Sequence, residues 1–455
     1  MAETIQNQEV FEKMPVSKAV RTMAVPTVIG QLIVLIYSVA DTFFLGRTND
    51  PYMVAGASLI LPVFNICLAL AAISGVGGGA QISRLLGEYR HEDAKRVSSF
   101  SFWLAFFIAA FFSISVFLFM NPLLHFLGAG PKTYEYAKIY ALFVVVIGGI
   151  PTVMTNVLSY LIRSVGESKK AGFGVTMGGI INIILDPLFM FVLFPKGMEI
   201  AGAGAATCLS NYISCGYFLY TISKMGKGSI LHFSSPLYLP KSHDIKMIFS
   251  VGIPSSVATF LFDLDYMVIG RLMAGYHDIA LAAIGIVLKA ERLPLNVGIG
   301  ICQGMVPIVA YNFSSGNYQR MHEITRFSRR LGIICAVISI MLYEIFASYI
   351  MRFFIADTQT VLLGTSFLRI RSLATILMFL SFFHVHLFNS YGRGGEAFFL
   401  GVTRWLGFNI PMLFILNYFF GMYGVVWAQL CADVLTVTLS VIVHRNYLKT
   451  HHFIA

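Results

Sequence analysis

Residues 54–83 read VAGASLILPVFNICLALAAISGVGGGAQIS and contain no Asp, Glu, Lys or Arg. A helix needs about 20 predominantly apolar residues to cross ~30 Å of hydrocarbon, and this stretch exceeds that length. A membrane-spanning β-strand would alternate apolar and polar side chains over about 10 residues, and these residues do not alternate. The stretch therefore predicts a transmembrane helix.

The same character extends over the whole chain. Of its 455 residues, 57% are hydrophobic and only 12% are charged, whereas soluble proteins carry about 25% charged residues. This composition excludes a soluble enzyme, a disordered chain and a secreted disulfide scaffold. We predict an all-α polytopic membrane protein with twelve transmembrane helices. The predicted spans are 20–45, 54–78, 97–120, 134–157, 172–193, 201–222, 245–271, 280–310, 331–352, 366–388, 398–419 and 422–444.

The basic residues predict the orientation of these spans. With the N-terminus inside, the tails and even-numbered loops hold 22 Lys and Arg residues, among them Arg163 and Arg404. The opposite loops hold 8, including Arg371, and Lys289 and Arg292 lie within a span. An excess of basic residues in cytoplasmic loops is the positive-inside pattern. We therefore expect both termini in the cytoplasm, and we interpret the net charge of +10 as a sign of orientation and not of nucleic-acid binding.

Two similar motifs indicate an internal duplication. DTFFLGR at residues 41–47 ends the first predicted helix, and DYMVIGR at residues 265–271 ends the seventh. A proline, Pro26 or Pro254, lies near the start of each of these helices. Because each copy has an even number of spans, both copies cross the membrane in the same sense. This arrangement is typical of transporters, in which a site between two lobes opens alternately to either side.

The duplication divides the chain into five predicted parts. They are a cytoplasmic tail at 1–19, an N-lobe of helices 1–6 at 20–223, a cytoplasmic linker with Pro236 and Pro240 at 224–244, a C-lobe of helices 7–12 at 245–445, and a tail at 446–455.

Two carboxylates interrupt otherwise uncharged spans of the N-lobe. An ionisable group in a span is costly and usually faces the interior, and Asp41 and Asp186 are such groups. Asn182 lies four residues before Asp186, on the same helix face. With the hydroxyl groups of Thr207 and Tyr140, these residues offer only oxygen ligands, which suit a hard cation or proton exchange. The alternative, that Asp41 reaches towards water or caps the following loop, stays open.

The C-lobe contains secondary candidates. Asp265 occupies the position that matches Asp41, and Glu291 lies within the eighth predicted span. Pairing with neighbouring charges such as Arg292 would also account for these acids. Glu344 and Asp433 are interpreted as structural or interfacial.

The motifs of this chain resemble the multidrug and toxic compound extrusion (MATE) family over about residues 20–445. The resemblance depends on the order and spacing of several short motifs and not on any one of them. They are Pro26 with Ala40-Asp41-Thr42 and Gly46, Arg84-Leu-Leu-Gly87, Arg163-Ser-Val-Gly166, Asn182-Ile-Ile-Leu-Asp186-Pro187, Gly202-Ala-Gly-Ala-Ala206, and Asn312 with Gly316-Asn317.

The resemblance implies a fold of two six-helix lobes around a V-shaped cavity and the export of organic cations and other drugs against H⁺ or Na⁺. The chain looks most similar to the branch whose coupling acid lies on the first helix, with Pro26 as the bending point of that helix. By position, the site for the coupling cation would consist of Asp41, Tyr140, Asn156, Asn182, Asp186 and Thr207, and Na⁺ would be held by Asp41, Asn182, Asp186 and Thr207. Another branch uses an acid on the seventh helix, so Asp265 leaves open which lobe couples.

Other functions are weighed against this antiporter. A lipid-linked precursor flippase would favour a strongly basic cavity, whereas only Lys289 and Arg292 stand out as intramembrane bases. A membrane-embedded enzyme would need a motif such as HExxH or GxSxG, and an ATP-driven pump would need a P-loop; none occurs in the sequence. A receptor has no need of the duplication. We expect no cofactor besides the coupling ion, small organic substrates and lipids as partners, a monomer, and the inner (plasma) membrane of a prokaryote.

Overall fold

The computed structural model describes residues 9–48, 50–226, 229–233 and 238–450. Residues 1–8 and 451–455 of the predicted tails, and Pro236 of the predicted linker, lie outside the described residues. Every regular element within the described residues is a helix. The predicted all-α class is therefore confirmed.

We number the long helices α1 to α12, and three of them include a π-helical segment. They are α1 Val16–Gly46, α2 Pro51–Gly87, α3 His91–Leu118, α4 Tyr134–Ala141 with the π-helix Leu142–Ile147 and Gly149–Ser164, α5 Ser168–Leu188 with the π-helix Phe189–Leu193, α6 Glu199–Lys224, α7 Ser242–Ala274, α8 Asp278–Ser314, α9 Tyr318–Phe354, α10 Thr358–Ser372 with Thr375–Ser390, α11 from Gly394–Val402 through the π-helix Thr403–Asn409 to residue 420, and α12 at 422–450. A short helix, Met120–Phe126, follows α3.

The number of membrane crossings depends on how bent helices are counted. Among the described residues, eight helices are long and apolar enough to cross a membrane, or ten if each of two bent pairs is one span. The bent pairs are α4 and α10, with bends of 45° and 46°. One of the eight helices comprises both α11 and α12. α6, a helix of 26 residues, occupies the predicted sixth span, although it is less apolar than these helices. Counted in this way, the described chain contains the twelve predicted spans.

The division between α11 and α12 lies at Gly421. This residue has φ 59° and ψ −144° between two helical stretches. Glycine adopts positive φ without the steric penalty that a Cβ atom brings, so the chain ends one helix and begins the next here. The predicted boundary between the last two spans, after residue 419, is confirmed.

Polar side chains cap the N-terminal ends of several helices. Asp50 accepts a hydrogen bond from the backbone of Tyr52 at the start of α2 (2.8 Å), where Pro51 is the first helical residue. Asn317 and Asp357 accept the same type of bond at the starts of α9 and α10. Such caps satisfy backbone N–H groups that have no partner within the helix.

Two helix pairs make the most extensive contacts between the first half of the chain, α1–α6, and the second half, α7–α12. A Cβ atom at Gly300 of α8 would lie 2.7 Å from the Cα atom of Val28 in α1, and one at Gly304 would lie 2.6 Å from that of Ala24. In the other pair, Gly77 of α2 lies against the carbonyl of Ile248 in α7. Glycine allows helix backbones to approach this closely within a membrane.

These close contacts lie towards one end of the bundle. We call it the N-terminal face, because α1 begins there. On the other side, a Cβ atom at Gly270 of α7 or at Gly285 of α8 would meet no atom within 4 Å. The two halves are therefore packed tightly at the N-terminal face and more loosely towards the opposite face.

Candidate cation site

The first half contains a cluster of polar side chains, which we call the first-half cluster: Asp41, Tyr140, Asn182, Asp186 and Thr207. All are buried except Asp41, which is half-buried. The Asn182 Nδ2 atom donates hydrogen bonds to Asp186 Oδ1 and to Thr207 Oγ1, both at 3.3 Å. The Tyr140 hydroxyl group donates to Asp41 Oδ2 at 3.4 Å. Asp186 is 0% exposed and Asn182 is 2% exposed. The structure thus brings together five of the predicted site residues.

Four helices supply these side chains. Asp41 lies five residues before the end of α1, Tyr140 precedes the π-helix of α4, and Thr207 lies on α6. Asn182 and Asp186 lie on one face of α5, just before Pro187 and the π-helix of that helix. A π-helical turn changes which side chains point inward and is frequent at functional sites.

Several oxygen atoms of the cluster accept no hydrogen bond. Asp41 Oδ1, Asn182 Oδ1 and Asp186 Oδ2 are buried and have no hydrogen-bond donor among the described residues. Buried polar atoms are usually satisfied, so three unsatisfied acceptors in one cluster indicate a place for a cation. Asp41 and Asp186 also repel each other electrostatically, which favours the uptake of positive charge.

The donor set fits a proton or a hard monovalent cation. Carboxylate, amide and hydroxyl oxygen atoms are the ligands that hard cations prefer. No group of three or more His, Cys, Asp or Glu residues that could hold a metal occurs in the described ranges. A bound Na⁺ would therefore depend on Asn182 and Thr207 as well as on the two carboxylates.

Two residues predicted for the site or its mechanism, Asn156 and Pro26, make other contacts than those of the cluster. The Asn156 side chain donates to the carbonyl of Thr152 in its own helix (2.9 Å), and no hydrogen bond between Asn156 and the cluster is observed in the described part of the chain. Pro26 lies within α1, which runs as one helix from residue 16 to residue 46, and its carbonyl lies close to Gly172 of α5.

Sequence reasoning missed Tyr37. Its side chain lies in the electrostatic field of both Asp41 and Asp186. Because Tyr37 precedes Asp41 by four residues, the two share one face of α1. This spacing could have identified it.

The second half contains a related set of contacts around Asp265. Asn409 Nδ2 donates to Asp265 Oδ1 (2.7 Å) and to Gln429 Oε1 (3.2 Å). The Asn409–Gln429 contact resembles the Asn182–Thr207 contact of the first half. Sequence reasoning missed both Asn409 and Gln429.

Two buried arginine–carboxylate ion pairs distinguish the second half from the first. Arg404 forms an ion pair with Asp433 (3.1 Å), and Arg371 forms one with Glu291 (2.8 Å). The Arg404 guanidinium group also lies 4.4 Å from the ring centre of Trp405. Both arginines act electrostatically on Asp265. The second half therefore carries its own positive charges beside its carboxylates.

These contacts correct two expectations from the sequence. The orientation count places Arg371 and Arg404 with the loops, although the predicted spans 366–388 and 398–419 include them, and the structure has them 1% and 2% exposed within α10 and α11. Glu291 pairs with Arg371 across the bundle, and Arg292 instead faces Asp263 (3.6 Å). Asp433 is 0% exposed and paired with Arg404, which agrees with the structural alternative of its interpretation. Hydropathy does not separate these arginines from loop residues, because a buried, paired arginine has the same hydropathy value as an exposed one.

A third polar network links the two halves near the N-terminal face. Gln303 of α8 accepts hydrogen bonds from Gln31 (3.1 Å) and Arg163 (3.3 Å) and donates to the Tyr160 hydroxyl group (3.1 Å). Arg163 is 5% exposed, so it too is buried and not part of a loop. One side chain of the second half is thus held by three side chains of the first.

Comparison with known proteins relates the chain to one family. The MatE family model matches twice, at residues 26–188 and 254–415. The multidrug export protein MepA of Staphylococcus aureus (strain MRSA252) is 29% identical over 433 residues, which cover 95% of this chain and 94% of the relative. MepA of Staphylococcus saprophyticus is 28% identical over the same share of both chains.

Solved structures share the fold. A MATE protein crystallised in complex with MaL6 superimposes with a TM-score of 0.91, at 20% identity and with 98% of both chains covered. An outward-facing multidrug resistance MATE transporter of the MOP superfamily also gives 0.91, at 20% identity and with 97% of this chain and 98% of the other covered. A single-residue mutant of the Vibrio cholerae MATE transporter VcmN gives 0.89, at 17% identity and with 100% of this chain and 99% of the other covered.

Proposed function

The chain belongs to the MatE family, and we propose that it exports amphipathic and cationic drugs and toxic organic compounds in exchange for H⁺ or Na⁺. It is an export transporter and not an enzyme, as its curated relatives are multidrug export proteins. The doubled match to the family model and the two similar halves support alternating access between them. Drug and cation would cross in opposite directions through one protein.

We further propose that the first-half cluster binds the coupling cation. The observation that carries this proposal is the difference in charge between the halves. In the first half, Asp41 and Asp186 have no ion pair among the described residues, and each retains a buried oxygen without a donor. In the second half, Asp265 also retains a buried oxygen without a donor, but Arg371 pairs with Glu291, Arg404 pairs with Asp433, and both guanidinium groups act electrostatically on Asp265. Because a cation would meet these positive charges in the second half, its binding would be more favourable in the first.

Cation binding would act on the packing of α1. When a proton or Na⁺ reaches the cluster, the repulsion between Asp41 and Asp186 falls, and α1 approaches α5 and α6. Because α1 also packs against α8 of the second half at Gly300 and Gly304, this movement reaches the contact between the halves. The coupling thus follows from one helix that belongs to both the cation site and the interface.

The proposed location is the plasma membrane of a bacterium, with both termini in the cytoplasm. Moving Arg163, Arg371 and Arg404 from the loops to the interior leaves the excess of basic residues at the N-terminal face intact. The N-terminal face is then cytoplasmic. One chain holds both halves and the cation cluster, so we propose that the monomer transports.

The test is ethidium efflux from proteoliposomes with a pH gradient and a Na⁺ gradient imposed separately. Wild type, Asp41→Asn and Asp265→Asn are compared, because the last is the matched substitution in the other half. We expect one gradient to drive efflux in wild type and in Asp265→Asn, and neither gradient to drive it in Asp41→Asn.

Three outcomes contradict parts of the proposal. Loss of efflux only in Asp265→Asn would move the coupling site to the second half. Undiminished efflux in Asp41→Asn would remove Asp41 from the site. Absence of gradient-driven ethidium movement in wild type would argue against drug export, and lipids would then be tested as substrates.

A further inference from the structure

A short segment before α1 is packed into the protein. Residues 9–12 form a helical turn, and the backbone of Met14 donates to the carbonyl of Glu9 (2.8 Å). Pro15 then leads directly into α1. Phe11 is 1% exposed although charged residues surround it in the sequence. We call residues 9–14 the N-terminal strap.

The strap is held by the second half of the chain. The ring of Phe11 stacks on Tyr311 near the end of α8, with ring centres 5.0 Å apart and an angle of 9° between planes. The Phe11 carbonyl accepts hydrogen bonds from Arg320 Nε (2.7 Å) and from Asn312 Nδ2 (3.2 Å). Arg320 also donates to the carbonyl of Met14 (2.6 Å). The guanidinium group of Arg320 thus binds two carbonyl groups of the strap, those of Phe11 and Met14. Asn312, a residue of the sequence motifs, helps to hold the first of them.

The carboxylate of Glu12 adds a third connection. It accepts hydrogen bonds from the hydroxyl groups of Tyr311 and Tyr89, the latter at 3.2 Å. Tyr89 lies between α2 and α3 and has φ 57°, a conformation that residues other than glycine rarely adopt. The strap therefore joins α1, the loop after α2 and the corner between α8 and α9.

These contacts cross the boundary that must open during transport. The strap is covalently part of the first half, and its partners Tyr311, Asn312 and Arg320 belong to the second. Next to them, Gly87 of α2 lies against the carbonyl of Tyr311. If the halves separate at the N-terminal face, the Phe11 ring loses its contact with Tyr311 and becomes exposed, and Arg320 loses its hydrogen bonds to the carbonyls of Phe11 and Met14. The strap is therefore broken in one state of the cycle and formed in the other.

We propose that the N-terminal strap is a latch that holds the N-terminal face closed and sets the resting balance between the two states of the transporter. The proposal rests on the proposed function in one respect, since it requires alternating access between the halves. It is independent of which half binds the cation. A ligand or substitution that releases the strap shifts the population towards the state open at the N-terminal face.

The test measures access to a buried position between the halves. Val306 of α8 packs with Ala80 of α2 and Val251 of α7 and is 9% exposed, and Val306→Cys changes its volume little. In inverted vesicles, a membrane-impermeant maleimide labels this cysteine only when the N-terminal face opens. Labelling is read by peptide mass spectrometry, with the fully buried native Cys302 as the internal reference.

Three variants, two in the strap and one at its partner Arg320, are compared in the protein that carries Val306→Cys. Phe11→Ala removes the buried ring, and Arg320→Lys keeps the charge but loses the planar group that reaches two carbonyls at once. Lys13→Ala is the matched control, because Lys13 is an exposed strap residue. We expect labelling of Val306→Cys to rise about five-fold or more in Phe11→Ala, less in Arg320→Lys, and not at all in Lys13→Ala.

A segment that only anchors the N-terminus would give a different result. Both variants would then lower the melting temperature without changing the labelling rate in folded protein, and this result would overturn the proposal. An equal rise in Lys13→Ala would overturn it as well. If Phe11→Ala does not fold, Arg320→Lys decides by the same criterion. The labelling experiment contains no drug and no ion gradient, so its result does not depend on cation coupling. A failure of cation coupling would be detected only in the efflux experiment, and the two failures are therefore distinguishable.

Discussion

At the scale of single residues, the two halves differ in how they neutralise buried carboxylates. Among the described residues, Asp41, Asp186 and Asp265 accept hydrogen bonds from neutral donors, whereas Glu291 and Asp433 pair with arginines. The same two arginines act electrostatically on Asp265, so within this described set Asp41 and Asp186 are the carboxylates without a fixed positive charge nearby. An ion pair fixed in the protein is satisfied at all times. A carboxylate without such a partner depends on an ion from solution, and that dependence is what a coupled transporter requires.

The arginine pairs are expected to be structural. Arg404→Met leaves Asp433 as an uncompensated buried charge, and breaking a buried pair in this way costs about 3–5 kcal/mol. We therefore expect a clear drop in the melting temperature of the purified protein. The double variant Arg404→Met/Asp433→Leu should recover much of the loss, because no isolated charge remains. A double variant no more stable than Arg404→Met would show that the pair does not act as a unit.

The hydroxyl group of Tyr140 should make a smaller contribution. Its bond to Asp41 is 3.4 Å long, near the limit of hydrogen bonding. A typical hydrogen bond contributes about 0.5–1.5 kcal/mol, so Tyr140→Phe should raise the cation concentration for half-maximal efflux by no more than about ten-fold. Tyr212→Phe, whose hydroxyl bonds to a backbone carbonyl away from the cluster, serves as control. Complete loss of coupling in Tyr140→Phe would give Tyr140 a larger role than this geometry supports.

At the scale of helices, the contact between α1 and α8 links the cation site to the interface between the halves. The two helices meet at glycines on the N-terminal face. The sequence predicts that both are spans, since apolar length alone determines that. It does not predict which glycines lie in the crossing. The close approaches at Gly300 and Gly304 depend on the position of another helix, and a single sequence does not contain that information.

The crossing can be tested with a matched pair of glycines on α8. A Cβ atom in Gly304→Ala would lie 2.6 Å from the Cα atom of Ala24, whereas one in Gly285→Ala would meet no atom within 4 Å. We expect Gly304→Ala to impair closure of the N-terminal face and to slow ethidium efflux several-fold, and Gly285→Ala to leave efflux unchanged. The efflux rate per inserted protein is the measurement. Equal rates in both variants would contradict the tight crossing.

At the scale of the whole molecule, the sequence predicts the architecture more completely than the site. Twelve charge-poor stretches predict the spans, and the repeat of Asp41 and Asp265 predicts the doubled organisation that the family match reproduces. The cluster around Asp186 follows partly from spacing, because Asn182 lies one turn away. The ion pairs of Arg371 and Arg404 join side chains on different helices, so only the packing of the fold brings them together.

The orientation of the molecule makes a separate prediction. Gln319 lies at the start of α9 on the N-terminal face, and Gln359 lies at the start of α10 on the opposite face, and both are exposed. In intact cells, an impermeant maleimide should label Gln359→Cys, whereas Gln319→Cys should react only after permeabilisation. The reverse pattern would place the N-terminal face outside.

The most direct test of the central claim follows cation movement that is driven by a drug. Proteoliposomes are loaded with ethidium without any imposed cation gradient, and a luminal pH dye or radioactive Na⁺ reports the cation. In wild type and in Asp265→Asn, drug leaving down its gradient should drive H⁺ or Na⁺ in the opposite direction. In Asp41→Asn and Asp186→Asn, drug should move without cation. Cation movement that persists in these two variants, or that disappears only in Asp265→Asn, would contradict coupling at the first-half cluster.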